Sequence, residues 1–237
     1  MPVTTVLFDL DGTLLPMDQE KFVKAYFGLL AKKLAPRGYE PEKLIQAIWS
    51  GTAAMVKNQG EGTNEQVFWK HFCGLFGEKA IHDLPLFDDY YRHEFQQVQS
   101  ACGFAPQAKE AIEAVKEKGL QIVLATNPIF PAVATQSRIR WAGLEEKDFL
   151  FYTTYENSCH CKPNPAYYAD ILEKLGVPAG ECLMVGNDVG EDMIAEKLGM
   201  QVFLLTDCLI NKEEKDISAY PHGGFKELIS FLRKLNA

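Results

Sequence analysis

The sequence predicts an α/β protein, a doubly wound parallel sheet carrying a block of helices after its first strand. Three observations predict it. From about residue 100 onward, short runs recur that are apolar at every position, as strands covered on both faces are. Amphipathic stretches separate these runs, and several of them stop at a glycine. Residues 17–98, in contrast, carry helical periodicity and no convincing strand. Strand and helix in alternation force right-handed crossovers and an open sheet with helices on both sides.

Thr5-Val6-Leu7-Phe8 is the first strand. In the block that follows, Phe22, Val23, Tyr26, Phe27, Leu30 and Leu34 make one apolar stripe, and Phe68, Phe72, Leu75 and Phe76 make another. Ala35-Pro36-Arg37-Gly38 and Gly60-Glu61-Gly62 read as turns. The expected division is a core of residues 1–16 and 99–237, with 17–98 as an all-helical insertion. In the core, helices are expected at 106–118, 131–142, 165–175, 190–198 and 224–235. Between them lie the runs Ile122-Val123-Leu124-Ala125, Phe149-Leu150-Phe151-Tyr152, Cys182-Leu183-Met184-Val185 and Val202-Phe203-Leu204-Leu205. Gly119, Gly143, Gly176 and Gly199 sit where a left-handed residue would end a helix, and Pro165 suits a first turn. No internal repeat or low-complexity tract is present.

With 237 residues the chain can bury a full core, and 47% hydrophobic against 24% charged residues excludes a disordered or fibrous class. Its formal charge of -8 argues against nucleic acid or an anionic membrane as partner, since both require a basic face. No apolar run approaches the ~20 residues of a membrane helix. The apolar start is interrupted by Asp9 and Asp11 and lacks a basic flank, so it reads as a buried strand and not a signal peptide. Six scattered cysteines then imply reduced thiols and a cytoplasmic setting. Cys159-His160-Cys161 reads as loop, because a closed zinc site needs four ligands and no second Cys/His pair is evident. His71, His82, His93 and His222 have no evident partners and read as structural.

Four segments carry chemistry, each at the C-terminal end of an expected strand, where open α/β sheets bind ligands. In Asp9-Leu10-Asp11-Gly12-Thr13-Leu14, two carboxylates directly follow a buried strand, a costly arrangement unless they bind a cation or react. An extended backbone would point both to one side, and Gly12 would let the chain turn away sharply. Thr126-Asn127 offers a hydroxyl and an amide that suit either an anion's oxygens or a helix cap. In Lys162-Pro163-Asn164-Pro165, the proline keeps Lys162 out of the following helix, available as a point charge for phosphate or simply solvated. Gly186-Asn187-Asp188-Val189-Gly190-Glu191-Asp192 is an oxygen-rich strand–helix junction of the kind hard cations prefer. Glu191 is expected to serve only the dipole of the next helix.

Together these segments resemble the haloacid dehalogenase (HAD) superfamily of phosphohydrolases, across essentially the whole core and in the right order. Asp9-x-Asp11-Gly12-Thr13 looks like its first motif, Thr126 its second, Lys162 its third and Asp188/Asp192 its fourth. The helical insert resembles the C1 type of cap on a Rossmann-like core. The resemblance implies a Mg2+-dependent phosphohydrolase acting on a small phosphorylated metabolite. Asp9 would attack phosphorus to give an aspartyl phosphate, and Asp11 would act first as general acid and then as general base. Thr126 and Lys162 would hold the transferring oxygens, and Thr13 and Asn127 would touch the substrate. Asp9, Asp11 (through its main-chain carbonyl), Asp188 and Asp192 would serve the metal. Many members have Gly-Asp where this chain has Gly186-Asn187, so Asn187, Asp188 and Asp192 each remain open as the direct ligand, with Asp188 favoured.

Within the superfamily, dehalogenases lack the second acid, so Asp11 counts against that branch. Phosphonatases need a cap lysine, and none of Lys24, Lys32, Lys33 or Lys57 can be assigned to that role. A sugar-phosphate mutase retains Asp11 and stays open as an alternative. A non-catalytic phospho-accepting or binding module is disfavoured, because such receivers are about half this length and have no cap. No Gly-x-Gly-x-x-Gly follows any strand, which argues against a dinucleotide-binding protein. The insert is rich in aromatics, including Phe22, Phe27, Trp49, Phe68, Trp69 and Tyr91. At helical spacing these read as core, an aromatic wall for an apolar leaving group being the other reading. Oligomeric state has no signature in the sequence.

Overall fold

A computed structural model describes residues 2–236. The first strand, β1 (Thr5–Phe8), is followed by four helices: α1 (Gln19–Leu34), α2 (Pro41–Val56), α3 (Asn64–Phe76) and α4 (Leu84–Arg92). A 3₁₀ stretch, Glu94–Ala101, then leads to α5 (Pro106–Lys116), β2 (Gln121–Leu124), α6 (Ala132–Trp141), β3 (Phe151–Tyr152), α7 (Pro165–Leu175) and β4 (Cys182–Gly186). The chain closes with β5 (Gln201–Leu205), β6 (His222–Gly223) and α8 (Phe225–Lys234). The strands form one parallel sheet in the order β3-β2-β1-β4-β5-β6. The chain winds outward from β1 in one direction, then crosses back to β4, so the crevice at the switch opens beyond the ends of β1 and β4.

Uninterrupted apolar strands follow from having two cores. Val6 and Phe8 join one, with Ala108 and Ile112 of α5 and Leu228 and Leu232 of α8, while Leu7 between them joins Tyr167, Tyr168 and Ile171 of α7. Each face of β1 is buried, so neither needs polar residues. Local chemistry starts the helices where the sequence allows. Asp18 accepts the Lys21 N–H at 3.1 Å to open α1, Thr63 and Gln66 form a reciprocal cap on α3, and Asn164 caps α7 with Pro165 in its first turn.

The helices between β1 and α5 pack through aromatic edges. The Trp69 and Phe72 rings of α3 meet Phe87 of α4 edge-on, with centroids 5.2 and 5.5 Å apart. The chain leaves and re-enters the sheet layer through two segments lying side by side: Met17 and Cys102 form an antiparallel bridge, and Gly103 N–H donates to the Pro16 carbonyl at 2.7 Å. Among the described residues, no helix is long and apolar enough to cross a membrane.

Several expectations need correction. The run 149–152 is not a strand buried on both faces. Only Phe151–Tyr152 pair, at the sheet's edge, and Leu150 is 58% exposed because nothing covers its outer side. Leu75, read as part of an apolar stripe, is likewise 56% exposed. The expected helix at 190–198 is instead a turn followed by a 3₁₀ stretch, Met193–Leu198. The side chain of Asp188 captures the N–H groups of Gly190 and Glu191 at 2.7 and 3.0 Å, a local turn that competes with helix initiation there. The four glycines expected to end helices all have positive φ.

Candidate active site

β1 delivers Asp9 and Asp11 into the crevice. The Asp9 N–H donates to the Val185 carbonyl of β4 at 2.9 Å, which prolongs the strand pairing by one residue. The chain then folds into a tight loop in which Leu15 N–H donates to the Leu10 carbonyl and Gly12 N–H to the Leu15 carbonyl, both at 2.8 Å. Gly12 has φ +90°, and any Cβ there would collide with the Asn187 amide, so this turn requires glycine on two counts. Asp9 is nearly buried and both of its oxygens are held. Oδ1 accepts from Lys162 Nζ at 2.9 Å, and Oδ2 accepts from the Thr13 hydroxyl at 3.1 Å.

Lys162 is 1% exposed and approaches Asp9 from the loop between β3 and α7, without itself lining the cavity. Its ammonium donates to Asp9 and, at 2.6 Å, to Asp192 Oδ1. Burial works against its charge, but Asp192 and Asp9 outweigh burial and hold the group well above the ordinary lysine range. Asp192 is held with equal firmness. Its Oδ2 accepts the Asp188 N–H at 3.0 Å, and a side chain at Gly186 would occupy the space its carboxylate fills. Burial pushes the Asp192 carboxyl above its usual value, with Lys162 opposing the shift.

The Asp11 carboxylate points elsewhere in the same cavity. It forms an ion pair through Oδ2 with Arg138 of α6, while Oδ1 is buried without a hydrogen-bond partner among the described residues. Burial raises its affinity for a proton, Arg138 opposes this and the negative Asp9 adds to it, so the carboxyl sits above the ordinary aspartate range. Arg138 is only 1% exposed, donates to the Thr135 hydroxyl at 3.2 Å and lies 4.5 Å over the Phe130 ring. The sequence reading passed over this arginine. Its signal is positional, because Arg138 lies four residues after Ala134 and three before Trp141, on a buried stripe of α6.

Thr126 lines the cavity with its hydroxyl free of any hydrogen bond among the described residues. Its carbonyl is fixed from behind by the hydroxyls of Thr153 at 2.6 Å and Tyr167 at 2.9 Å. Asn127 also lines the cavity and donates to Glu191 Oε2 at 3.1 Å. Glu191, expected to serve only a helix dipole, therefore faces the cavity, and burial raises its carboxyl above the usual range. Thr13, expected to touch a ligand, does not line the cavity. It bridges Asp9 to Asn187 Oδ1 at 3.0 Å, and Asn187 in turn donates to the Cys208 carbonyl at 2.7 Å. Asp188 keeps Oδ2 free of hydrogen bonds among the described residues, whereas Asp192, like Asp9, has both oxygens hydrogen-bonded. Cys161 is buried and accepts from the Asn64 amide at 3.2 Å, while His160 pairs with Asp170 at 2.6 Å.

The cavity measures about 630 Å³ and extends from Asp9 and Asp11 into the space enclosed by α1 to α4 and the segment before α6. The arrangement thus brings to the mouth of one chamber a carboxylate held at both oxygens, a second carboxyl of raised proton affinity and a hydroxyl, with a buried ammonium bonded to the first of them.

The chain is similar to known proteins over most of its length. A family model described as haloacid dehalogenase-like hydrolase matches residues 3–198. The chain is 26% identical over 217 residues to the zebrafish (Danio rerio) haloacid dehalogenase-like hydrolase domain-containing protein 3, covering 86% of each. It is 26% identical to a phosphoglycolate phosphatase of Vibrio parahaemolyticus, covering 86% of this chain and 84% of that one. The crystal structure of a HAD phosphatase from Thermococcus onnurineus superposes with a TM-score of 0.61 at 20% identity, over the whole of both chains.

Proposed function

The chain belongs to the haloacid dehalogenase-like hydrolases, and from that membership we propose that it hydrolyses the phosphoric monoester of a small metabolite through Asp9 and Asp11. The observation carrying this reading is the pair of carboxylates two residues apart, one clamped by Lys162 and Thr13 and the other left with an unpartnered oxygen. Asp9 attacks phosphorus, the bond to the ester oxygen breaks, and Asp11 gives that oxygen a proton. Asp11, now ionised, takes a proton from water, whose oxygen attacks the phosphorus of the aspartyl phosphate and frees Asp9 and inorganic phosphate. Lys162 neutralises charge on the transferring oxygens, and the Thr126 hydroxyl donates to one of them. On the same reading residues 17–98 form a cap over a core of residues 1–16 and 99–237, closing the cavity against bulk water during attack.

The donors present fit Mg2+. Asp9 and Asp188 bring carboxylate oxygens to one cavity, and Mg2+ takes one or two carboxylates and completes its shell with water and phosphate oxygens. Asp9, Asp188 with its free oxygen, and the main-chain carbonyl of Asp11 would hold it, while Asp192 anchors Lys162 instead. When bound, the ion supplies positive charge to the phosphate and to the Asp9 carboxylate. Turnover of p-nitrophenyl phosphate tests the whole reading. We expect multiple turnovers with Mg2+, loss of activity in EDTA and recovery on adding Mg2+ back. Stoichiometric labelling without turnover would mean a phospho-accepting module, and full activity in EDTA would remove the metal from the scheme.

Asp11→Asn should lower kcat by about 10²- to 10⁴-fold, because neither proton transfer can then occur. Arg138→Gln acts through Asp11. It removes the influence that lowers the Asp11 proton affinity, so its Asp11 should stay protonated to higher pH than in the wild type. The alkaline limb of kcat should therefore move upward in pH as kcat falls, and a uniform loss at every pH would leave Arg138 a purely structural role.

A further inference from the structure

Beyond the phosphate-binding end, the cavity is walled by rings. Phe22, Phe27, Trp49, Phe68, Trp69 and Phe87 from four different helices all line it. The sequence favours reading these as core, and most are buried, yet together they bound one enclosed space continuous with Asp9 and Asp11. Trp49 is the exception to burial. It is 51% exposed and stands 5.4 Å from the Phe27 ring, an apolar surface left facing solvent at the edge of the chamber.

Charge within the chamber is unfavourable to a second anion. Glu65 at the start of α3 and Glu156 after β3 line it, as does Asp88 of α4. Burial, and then the proximity of Glu156, raises the proton affinity of Glu65, as expected of two acids facing one space. Two cations line the cavity, Arg92 and Lys212. Arg92 is bound to Asp88 at 2.8 Å, and Arg138 is bound to Asp11. Lys212 follows Ile210, which bridges to Asp188 at the phosphate end. A carboxylate or second phosphate in the ring-walled part of this space would sit beside Glu65 and Glu156, where the buried donor left without a hydrogen bond among the described residues is the neutral Trp69 indole N–H, at a cost that a ring or alkyl chain does not incur.

We infer that the alcohol released here is uncharged and apolar, an aryl or arylalkyl group, and not a fragment bearing a carboxylate or second phosphate. This rests on the phosphomonoester hydrolase reading and narrows it. The test is steady-state kinetics with Mg2+ on three unactivated esters: 2-phenylethyl phosphate, glycerol 1-phosphate and phosphoglycolate. We expect kcat/KM for the phenylethyl ester to exceed that for phosphoglycolate by on the order of 10²-fold, with glycerol phosphate between. Equal values, or preference for phosphoglycolate, would overturn the substrate class and leave the phosphatase assignment standing. No Mg2+-dependent turnover of any of the three, or of p-nitrophenyl phosphate, would overturn both. Trp49→Ala, at an exposed position that does not threaten folding, should lower the phenylethyl-to-glycerol ratio of kcat/KM by about fivefold. An unchanged ratio would remove Trp49 and its aromatic wall from substrate selection.

Discussion

Asp9→Asn is expected to lower kcat for any phosphate monoester by on the order of 10⁴-fold or more while the protein stays folded. The amide keeps the size of the carboxylate, and its carbonyl can still accept from Lys162 or Thr13, but it cannot attack phosphorus. Stability should hold or rise. In the wild type one ammonium faces two buried carboxylates, at 2.9 and 2.6 Å, and the substitution removes one negative charge from that excess. Single-turnover kinetics together with a thermal melt check both halves. Residual kcat above about one hundredth of wild type would point to another nucleophile.

Lys162→Met should produce a different failure. It removes the cation bonded to both Asp9 and Asp192, leaving two buried carboxylates without it. Deleting one partner of a buried ion pair costs about 3–5 kcal/mol. The sign of the pH dependence follows from the surviving acids. Burial holds Asp192 above its unfolded proton affinity even with Lys162 present, and losing the ammonium raises it further. A carboxyl raised in the folded state contributes stability below its unfolded pKa and loses that contribution as pH rises through the folded value. The deficit of the variant should therefore be smallest in acid and grow toward neutrality. Urea denaturation across pH measures this, and a variant as stable as wild type at pH 7 would contradict the account. Lys162→Met combined with Asp192→Asn should recover much of the stability and none of the activity, separating the structural duty of the lysine from its duty toward phosphate.

What the sequence reveals depends on whether a residue's surroundings are local. Val6, Leu7 and Phe8 announce a doubly covered strand because both faces must be apolar, and the strand ends then mark Asp9, Asp11, Thr126 and Asp188 as neighbours. Lys162 was legible through its proline, which bars it from the next helix. Apolarity does not reveal which strand sits at the edge, so Phe149 to Tyr152 read as interior although the sheet ends there. Arg138 was illegible for a related reason. An arginine on a helix is ordinarily solvated, and this one is buried because Asp11, 127 residues earlier in the chain, meets it. Asp192 was legible only in part, since an acid in an oxygen-rich loop suggests a metal, and its bond to Lys162 comes from the fold alone.

The side-by-side crossing at Met17 and Cys102 has a consequence for how such a protein can change over generations. Because the helical block departs and returns at one point, its shape can drift, lengthen or be exchanged without shifting the register of any strand. On the proposed function, the machinery that breaks the phosphate bond and the surface that chooses its bearer would then be separately heritable. New preferences can be tried against an old reaction.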